Sequence, residues 1–431
     1  MKKSLGVIGV AIAAFGGGLL MSGTPVFVQG QPSAVSTAAV PGQKGGIDVL
    51  GPYDVVAGWP KPLSNLPGHM GWTWGAVQGV FAESPDRVFV LQRGELPDLR
   101  RPAPVALPQI GPSLAFPTGQ VPFRNASQGM NASPPGAGGP GADPDDPAQA
   151  WKGRMGIDAR WEHLMVAFNS AGDIVEQFPQ WDTLLKRPHA IYINPYDAEK
   201  HLWVVDDHSH AIFKMTHDGK TIVQTLGTPG KSGADASHFN RPTFLAFLPD
   251  STMFVADGYN GTRVAKFDKD GRFLLTWGEK GAPGGNERRP GYFNTVHGIA
   301  ADPVTRRVYV SDRSNRRMQV FDENGKFLDQ WDFSRPSNTQ FLMIPADRSL
   351  WAIEDVTAKV VKYDLEGHYL YSWGTLNDFP GSFLNPHGFS VDQEQNLYVA
   401  EVGNGRVQKF KPRPGANPSM IVGKPVYSAW R

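Results

Sequence analysis

The chain has 431 residues, a formal net charge of +1, 19% charged residues and no cysteine. This balance excludes a strongly basic chain, and nothing in it calls for nucleic acid or an anionic membrane surface as a partner. Without cysteine there are no disulfides, so a metal site must use histidine, carboxylate or carbonyl ligands.

The first 30 residues have the pattern of a secretory signal peptide. Met1, Lys2 and Lys3 precede an apolar run from Leu5 to Met21, and small residues follow that run. We expect cleavage near Gly30 and export to the periplasm or the extracellular space, with no membrane contact afterwards. A retained membrane anchor is the alternative, but the five glycines of the run favour a cleaved signal. Residues 31–50 are then a linker, and residues 424–431 a tail.

A unit of four short strands recurs through most of the remaining chain. The later copies show the pattern best: a hydrophobic strand ends in an acid, a strand of mixed basic and apolar residues follows, and an Asp-Gly, Asn-Gly or Glu-Gly turn leads into a fourth strand. Clear copies lie at residues 202–219, 254–271, 308–325, 350–367 and 397–410. A weaker copy precedes them, in which a Pro/Gly-rich insert at 94–150 separates residues 88–92 from 164–178. Six such units predict an all-β, six-bladed β-propeller over residues 51–423.

The last copy lacks its fourth strand, and residues 53–59 have the pattern of the missing one. We predict that this N-terminal strand pairs with the last blade and closes the ring, which protects edges that would otherwise stay unpaired. Truncation of residues 51–60 should then destabilise the whole domain. We expect the closed propeller to be a monomer.

The insert at 94–150 begins directly after Arg93, so it should emerge on the same face as that side chain. One hypothesis makes it a lid or a specificity loop over a site. The alternative is a tolerated, disordered insertion.

Three histidines occupy the same position in alternate units. The inner strands of the six blades should enter the channel at one residue each: Gln78, His189, Thr243, His297, Gln340 and His387. Alternate blades of a six-membered ring lie about 120° apart, so three imidazoles would converge on the axis and leave a fourth position open. A single histidine at a strand start is commonly a turn residue bonded to a carbonyl, but the threefold pattern favours a metal site. Zinc is the expected metal, although iron and copper also accept three imidazoles.

The ends of the second strands add candidate catalytic groups on the same face. Arg93 and Arg313 follow these strands in opposite blades and can grip a carboxylate or a carbonyl. Tyr259 follows the corresponding strand of blade three and can serve as a general base. The alternatives are salt bridges of the arginines with blade-end acids such as Asp206 or Asp257, and packing of the tyrosine on the rim.

These motifs together resemble the lyase domain of the peptidylglycine alpha-amidating enzymes, within the wider family of NHL-repeat proteins. The segments that carry the resemblance are Gln92-Arg93-Gly94, Pro188-His189, Ala256-Asp257-Gly258-Tyr259, Val296-His297-Gly298, Ser311-Asp312-Arg313 and Pro386-His387. The resemblance implies that His189, His297 and His387 bind zinc, that Tyr259 is catalytic, and that Arg93 and Arg313 contact the substrate. It also implies a structural calcium held by the backbone carbonyls of Val80 and Ile191 and by an aspartate after the third histidine.

Two positions depart from the family pattern. Gly388 stands where the calcium-binding aspartate is expected, and Asn385 where a methionine usually lies near the metal. The activity that the resemblance implies is cleavage of a carbinolamide, an N-acyl alpha-hydroxyglycine, into a primary amide and glyoxylate. The substrate would be a small molecule or a peptide.

Two other functions fit the same architecture. A secreted NHL propeller can bind a protein, a peptide or a glycan without catalysis, because fold alone does not decide activity. A calcium-dependent lactonase would need carboxylates and an asparagine around the channel, and the histidine, glutamine and threonine at the entry positions argue against it.

Overall fold

The computed structural model describes residues 47–48, 50–98, 145–146, 148, 151, 153–333 and 337–430. The predicted signal peptide, its cleavage site and most of the predicted linker and insert lie outside these residues. No helix in the described part of the chain is long and apolar enough to cross a bilayer.

Six sheets, each with four antiparallel strands, form the predicted β-propeller, and the inner strand of each sheet faces the central channel. Blade one contains Trp72–Ser84, Arg87–Pro97, Met165–Phe168 and Ile174–Gln177, and blade two contains Pro188–Ile193, Leu202–Asp206, Ala211–Met215 and Ile222–Leu226. Blade three contains Pro242–Phe247, Met253–Asp257, Arg263–Phe267 and Phe273–Trp277, and blade four contains Val296–Ala301, Val308–Asp312, Arg317–Phe321 and Phe327–Asp332. Blade five contains Thr339–Met343, Leu350–Glu354, Lys359–Tyr363 and Tyr369–Trp373, and blade six contains Pro386–Val391, Leu397–Glu401, Arg406–Pro412 and the N-terminal strand Tyr53–Val55.

The N-terminal strand closes the ring, as the sequence predicts. Tyr53–Val55 pairs antiparallel with Arg406–Pro412, and the Tyr53 hydroxyl accepts a hydrogen bond of 2.9 Å from the backbone N–H of Val422. Ile47–Asp48 adds a short parallel strand to blade five. Because this strand pair joins the two ends of the propeller, its loss would open the ring.

The remaining regular elements are short. Glu279–Lys280 and Tyr292–Phe293 form a two-stranded parallel sheet beside blade three. Single 3-10 turns lie at Leu63–Asn65, Pro179–Trp181, Arg313–Asn315 and Pro418–Met420. The C-terminal residues pack against blades one and two, since Tyr427 donates to the carbonyl of Ala82 over 2.6 Å and Ala429 donates to that of Pro195 over 3.0 Å.

The burial pattern follows from the position of each strand in its blade. Inner and second strands are buried on both faces between neighbouring blades, as in Leu202–Asp206, so they consist almost entirely of apolar residues. Outer strands such as Ile222–Leu226 alternate partly buried and exposed residues, because only one face packs against a neighbouring blade.

The second strand of blade one is longer than the sequence analysis assumed. The insert was expected to begin at residue 94, but Arg87–Pro97 stays paired with Trp72–Ser84 through Pro97. Glu95 is fully buried and exchanges backbone hydrogen bonds with Arg160 on the segment that returns from the insert. Backbone pairing on both sides therefore extends the strand by four residues past Arg93.

The acids at the ends of the second strands hold the loops that lead into the inner strands. Each accepts a backbone N–H from the residues just before its inner strand: Arg187 to Asp206, Asn240 to Asp257, Asn294 to Asp312, Asn338 to Glu354 and Leu384 to Glu401. In blade one the side-chain oxygen of Gln92 accepts from Gly75 in the same way. The repeated acid is thus a structural feature that fixes where each inner strand begins.

Candidate metal and catalytic site

A β-bulge lies at the entry position of every inner strand. The register with the second strand shifts between Val77 and Gly79 in blade one, and at the equivalent place in the other five blades. A bulge leaves a residue unpaired and redirects its side chain. The bulged segments contain Gln78, His189, Thr243, His297, Gln340 and His387, which are the entry positions predicted from the sequence.

The structure brings the three histidines together in the channel. Their ring centroids are 4.7 to 5.3 Å apart, and one potential ligand atom from each lies within 4.8 Å of the others. All three residues are buried. Phe244 lies beneath them and contacts all three rings, with centroid distances of 4.8 to 5.4 Å. The alternate-blade spacing thus produces a compact trigonal cluster.

Backbone carbonyls of neighbouring blades orient two of the rings. The Nδ1 of His297 bonds to the carbonyl of Gln340 over 2.7 Å, and that of His387 bonds to the carbonyl of Gln78 over 2.8 Å. A nitrogen that bonds to a carbonyl must carry the proton, so the Nε2 of each ring keeps its lone pair. The hydroxyl of Thr243 donates to the carbonyl of His297 over 2.8 Å and fixes that strand in turn. The non-histidine entry residues therefore support the histidines.

The imidazoles lie in an environment that keeps them neutral. Burial holds the pKa of His189 and of His297 well below the ordinary value, and neighbouring histidines and arginines add to the effect. Burial likewise lowers the pKa of His387 to about 3. Neutral imidazole is the form that binds metal ions.

Tyr259 places its phenol directly on the histidine cluster. Its oxygen lies 3.1 Å from Nε2 of His189 and 3.0 Å from Nε2 of His297. Three guanidinium groups surround its ring, with carbon-to-centroid distances of 5.5 Å for Arg187, 4.7 Å for Arg241 and 5.2 Å for Arg313. The tyrosine is therefore part of the cluster rather than of the outer rim.

The two predicted arginines, Arg93 and Arg313, differ in their hydrogen bonding. Arg313 donates to the side chain of Gln340 over 2.9 Å, and Gln340 in turn donates to Asp355 over 2.6 Å. Arg93 is buried, and its Nε and Nη2 have no hydrogen-bond partner among the described residues. Burial, followed by the charge of Arg187, lowers the pKa of Arg93 to about 9. The blade-end acids Asp257, Asp312 and Glu401 pair with other arginines, at positions 263, 317 and 406.

Three charged residues of the site were not predicted from the sequence: Arg187, Asp207 and Arg241. Arg187 and Arg241 both bind one oxygen of the buried Asp207, over 3.1 and 3.0 Å. Burial opposes the charge of Asp207, but the adjacent guanidinium groups hold its pKa below the ordinary value. A repeated motif could have indicated the two arginines. Each comes directly before the proline that begins an inner strand, in Arg187-Pro188 and Arg241-Pro242.

The histidine cluster fits zinc. The Nε2 of His387 and the Nδ1 of His189 are buried and have no partner among the described residues, which is costly for polar atoms unless a ligand binds them. Neutral nitrogen donors about 2.0 to 2.1 Å from the ion are typical of catalytic zinc sites with three histidines. Three converging imidazoles, two of them oriented by backbone carbonyls, supply such a donor set.

The expected calcium site does not fit. Val80, Ile191 and Gly388 line a cavity of about 160 Å³ in the channel on the other side of Phe244. Among the described residues that line this cavity, none carries a carboxylate. Calcium takes six to eight oxygen ligands, mostly carboxylates and carbonyls. The replacement of the expected aspartate by Gly388 removes the charge that such a site needs.

The second group of potential metal ligands lies outside this cluster. His69, Glu95, Glu162 and His163 each offer an atom within 4.8 Å of the others. No sequence motif indicated this group, because its members are separated by the insert.

Comparisons with known proteins identify the family. A model of the NHL repeat matches residues 383–410. NHL repeat-containing protein 3 of Homo sapiens is 30% identical over 258 residues, which are 56% of this chain and 71% of that protein. Peptidyl-glycine alpha-amidating monooxygenase A of Xenopus laevis is 30% identical over 233 residues, 52% of this chain and 24% of that protein. Peptidyl-alpha-hydroxyglycine alpha-amidating lyase 1 of Drosophila melanogaster is 30% identical over 254 residues, 54% of this chain and 46% of that protein. The matches therefore span a quarter to a half of the length of these two enzymes, and 71% of the human protein. The chain belongs to the NHL-repeat family of six-bladed β-propellers.

Proposed function

We propose that this protein is an exported, zinc-dependent carbon-nitrogen lyase that cleaves a carbinolamide of the N-acyl alpha-hydroxyglycine type. The observation that carries the proposal is the trigonal histidine cluster with the oxygen of Tyr259 between two of its nitrogens, 3.1 and 3.0 Å away. The amidating enzymes among its relatives support the reaction class.

The histidines and Tyr259 would have separate roles in the reaction. His189, His297 and His387 would hold zinc, which acts as a Lewis acid toward an oxygen of the substrate. Tyr259, whose oxygen lies beside the cluster, would accept the proton of the substrate hydroxyl. As the carbonyl of glyoxylate forms, the C–N bond breaks and its electron pair stays on the amide nitrogen. That nitrogen would take the proton that Tyr259 accepted and leave as the primary amide, which restores the tyrosine.

The arginines would position the acid group of the substrate. Arg93 has two buried groups, Nε and Nη2, without partners among the described residues, and a carboxylate would satisfy both. Arg313 is fixed by Gln340, whose carbonyl also orients His297, so the metal ligand and the second arginine share one support. Buried donors of fixed geometry are suited to binding a planar carboxylate.

Metal content and turnover test the proposal together. We expect the purified protein to release glyoxylate from a hydroxyhippurate-type compound, and His297→Ala to lose one zinc equivalent and all activity. Tyr259→Phe should keep the zinc and lower kcat by about 10² to 10⁴. His217→Ala is the matched control, because His217 is a partly exposed histidine bonded to Glu83. Unchanged zinc content in His297→Ala would contradict the proposal.

The second candidate function is a non-catalytic propeller that binds a protein, a peptide or a glycan. The human NHL repeat-containing protein 3 favours it, because the match covers 71% of that relative and its name states no activity. A scaffold has no use for the histidine cluster. Zinc content that is unaffected by His297→Ala, together with the absence of glyoxylate release, would support this candidate.

A further inference from the structure

A second cluster of metal-binding residue types lies at the base of the insert. His69 comes from the loop before blade one, Glu95 from the end of its second strand, and Glu162 and His163 from the segment that returns after the insert. One potential ligand atom from each lies within 4.8 Å of the others. The two imidazole rings are 5.0 Å apart. Three chain segments that are distant in sequence therefore meet at one point.

The carboxylate of Glu95 is the centre of this cluster. It is fully buried, and its two oxygens contact one imidazole each: Nδ1 of His163 at 2.6 Å and Nδ1 of His69 at 2.9 Å. Among the described residues, no backbone N–H reaches the side chain of Glu95 at hydrogen-bond distance. The blade-end acids differ, because each accepts such a hydrogen bond from the loop before its inner strand. A buried carboxylate costs free energy unless its charge is compensated.

The two imidazoles are the nearest groups to this charge, and Arg160 adds only weakly to its compensation. The Nη1 of Arg160 lies 4.0 Å from Glu95, while the guanidinium group is held by the carbonyl of Gly68 over 3.0 Å and by the ring of Trp72 at 4.2 Å. The same Nη1 lies 3.4 Å from Nδ1 of His69. That nitrogen thus faces a donor and a carboxylate oxygen at once. A proton on it satisfies only the carboxylate, and a lone pair satisfies only the guanidinium.

We propose that His69, Glu95, Glu162 and His163 form a second divalent metal site, of the zinc class, that fastens the base of the insert to blade one. A cation shared by Nδ1 of His69 and the carboxylate of Glu95 would use the nitrogen lone pair and compensate the carboxylate, while Nη1 of Arg160 keeps its hydrogen bond to the carbonyl of Gly68. Two imidazoles and two carboxylates suit zinc and neighbouring divalent transition metals, and the two carboxylates neutralise the ion. Glu162 is exposed, so it closes the site from the solvent side.

The site is independent of the proposed lyase chemistry. Its ligands are separate from the channel histidines, and it requires no substrate. Its consequence for the fold is that both ends of the insert are tied to one ion, since Glu95 precedes the insert and His163 follows it. Metal binding would then order this base, which also carries Arg93 two residues before Glu95.

Zinc titration of the metal-free, full-length protein tests the proposal. We expect two zinc equivalents for the natural sequence and for the control His217→Ala. The double variant His69→Ala/His163→Ala should keep one equivalent, the one that His297→Ala removes. Glu162→Gln changes an exposed side chain, so it should fold normally and weaken zinc binding at this site by about tenfold or more.

The outcomes separate this proposal from the lyase proposal. Loss of one equivalent in the double variant, with the other retained, supports the second site whatever the activity. A natural protein that binds a single equivalent, abolished by His297→Ala, would overturn the second site and leave the channel site standing. Unchanged zinc affinity in both the double variant and Glu162→Gln would overturn it as well.

Discussion

Glu354→Gln should make the propeller more stable at alkaline pH. Glu354 ends the second strand of blade five and accepts hydrogen bonds from Ser337, from the backbone of Asn338 and from Thr339. In blades three, four and six the equivalent acid pairs with an arginine, but blade five has Lys359 at that position. Burial raises the pKa of Glu354 from its ordinary 4.5 to about 7.

The sign and size of the effect follow from this pKa. The folded protein holds a proton on Glu354 at pH values where the unfolded chain has lost it, so stability falls as pH rises from 4.5 to 7. A difference of about 2.5 between two pKa values corresponds to about 3 kcal/mol. Glutamine resembles the protonated acid at every pH, so the variant avoids this loss.

Urea unfolding between pH 5 and pH 8.5 measures the effect. The free energy of unfolding of Glu354→Gln, relative to the natural sequence, should rise by up to about 3 kcal/mol across this interval. Asp54→Asn is the control, because Asp54 is an exposed carboxylate and its loss changes the net charge by the same amount. Parallel pH profiles for the natural protein and Glu354→Gln would refute the reasoning.

Three further predictions concern closure, packing and charge. Deletion of residues 51–60 should lower the melting temperature of the whole propeller, rather than unfold one blade, because Tyr53–Val55 closes the ring; calorimetry that shows an unchanged transition would contradict this. Gly258→Ala should destabilise the fold and displace the adjacent Tyr259, since an added Cβ would overlap the carbonyl oxygen of Val296; a variant with normal stability and kcat would show that the backbone yields there. Asp207→Asn should cost about 3 to 5 kcal/mol in urea unfolding, because two buried guanidinium groups lose their shared partner; a loss under about 1 kcal/mol would mean that solvent already screens them.

The sequence determined the architecture and the spacing of the histidines. Six copies of one strand pattern, the acid at the end of five second strands and the unpaired strand at residues 53–59 were sufficient to predict the closed ring. The reason is physical: a four-stranded unit with two apolar faces is stable only between neighbours of the same kind. The residues predicted as metal ligands also follow from this periodicity, because His189, His297 and His387 recur at one position of the repeat.

Only the tertiary structure decided which side chains meet. The carbonyls of Gln78 and Gln340 that orient two imidazoles, and the pairing of Arg241 with Asp207, are contacts between blades. The bulge that redirects each entry residue, and the pairing of Arg187 with Asp207, lie within single blades. The Glu95 cluster joins residues from before and after the insert. The sequence of the insert does not show that these residues lie close together in the folded chain. Repeats reveal contacts that recur from blade to blade, whereas contacts that occur once depend on the folded chain.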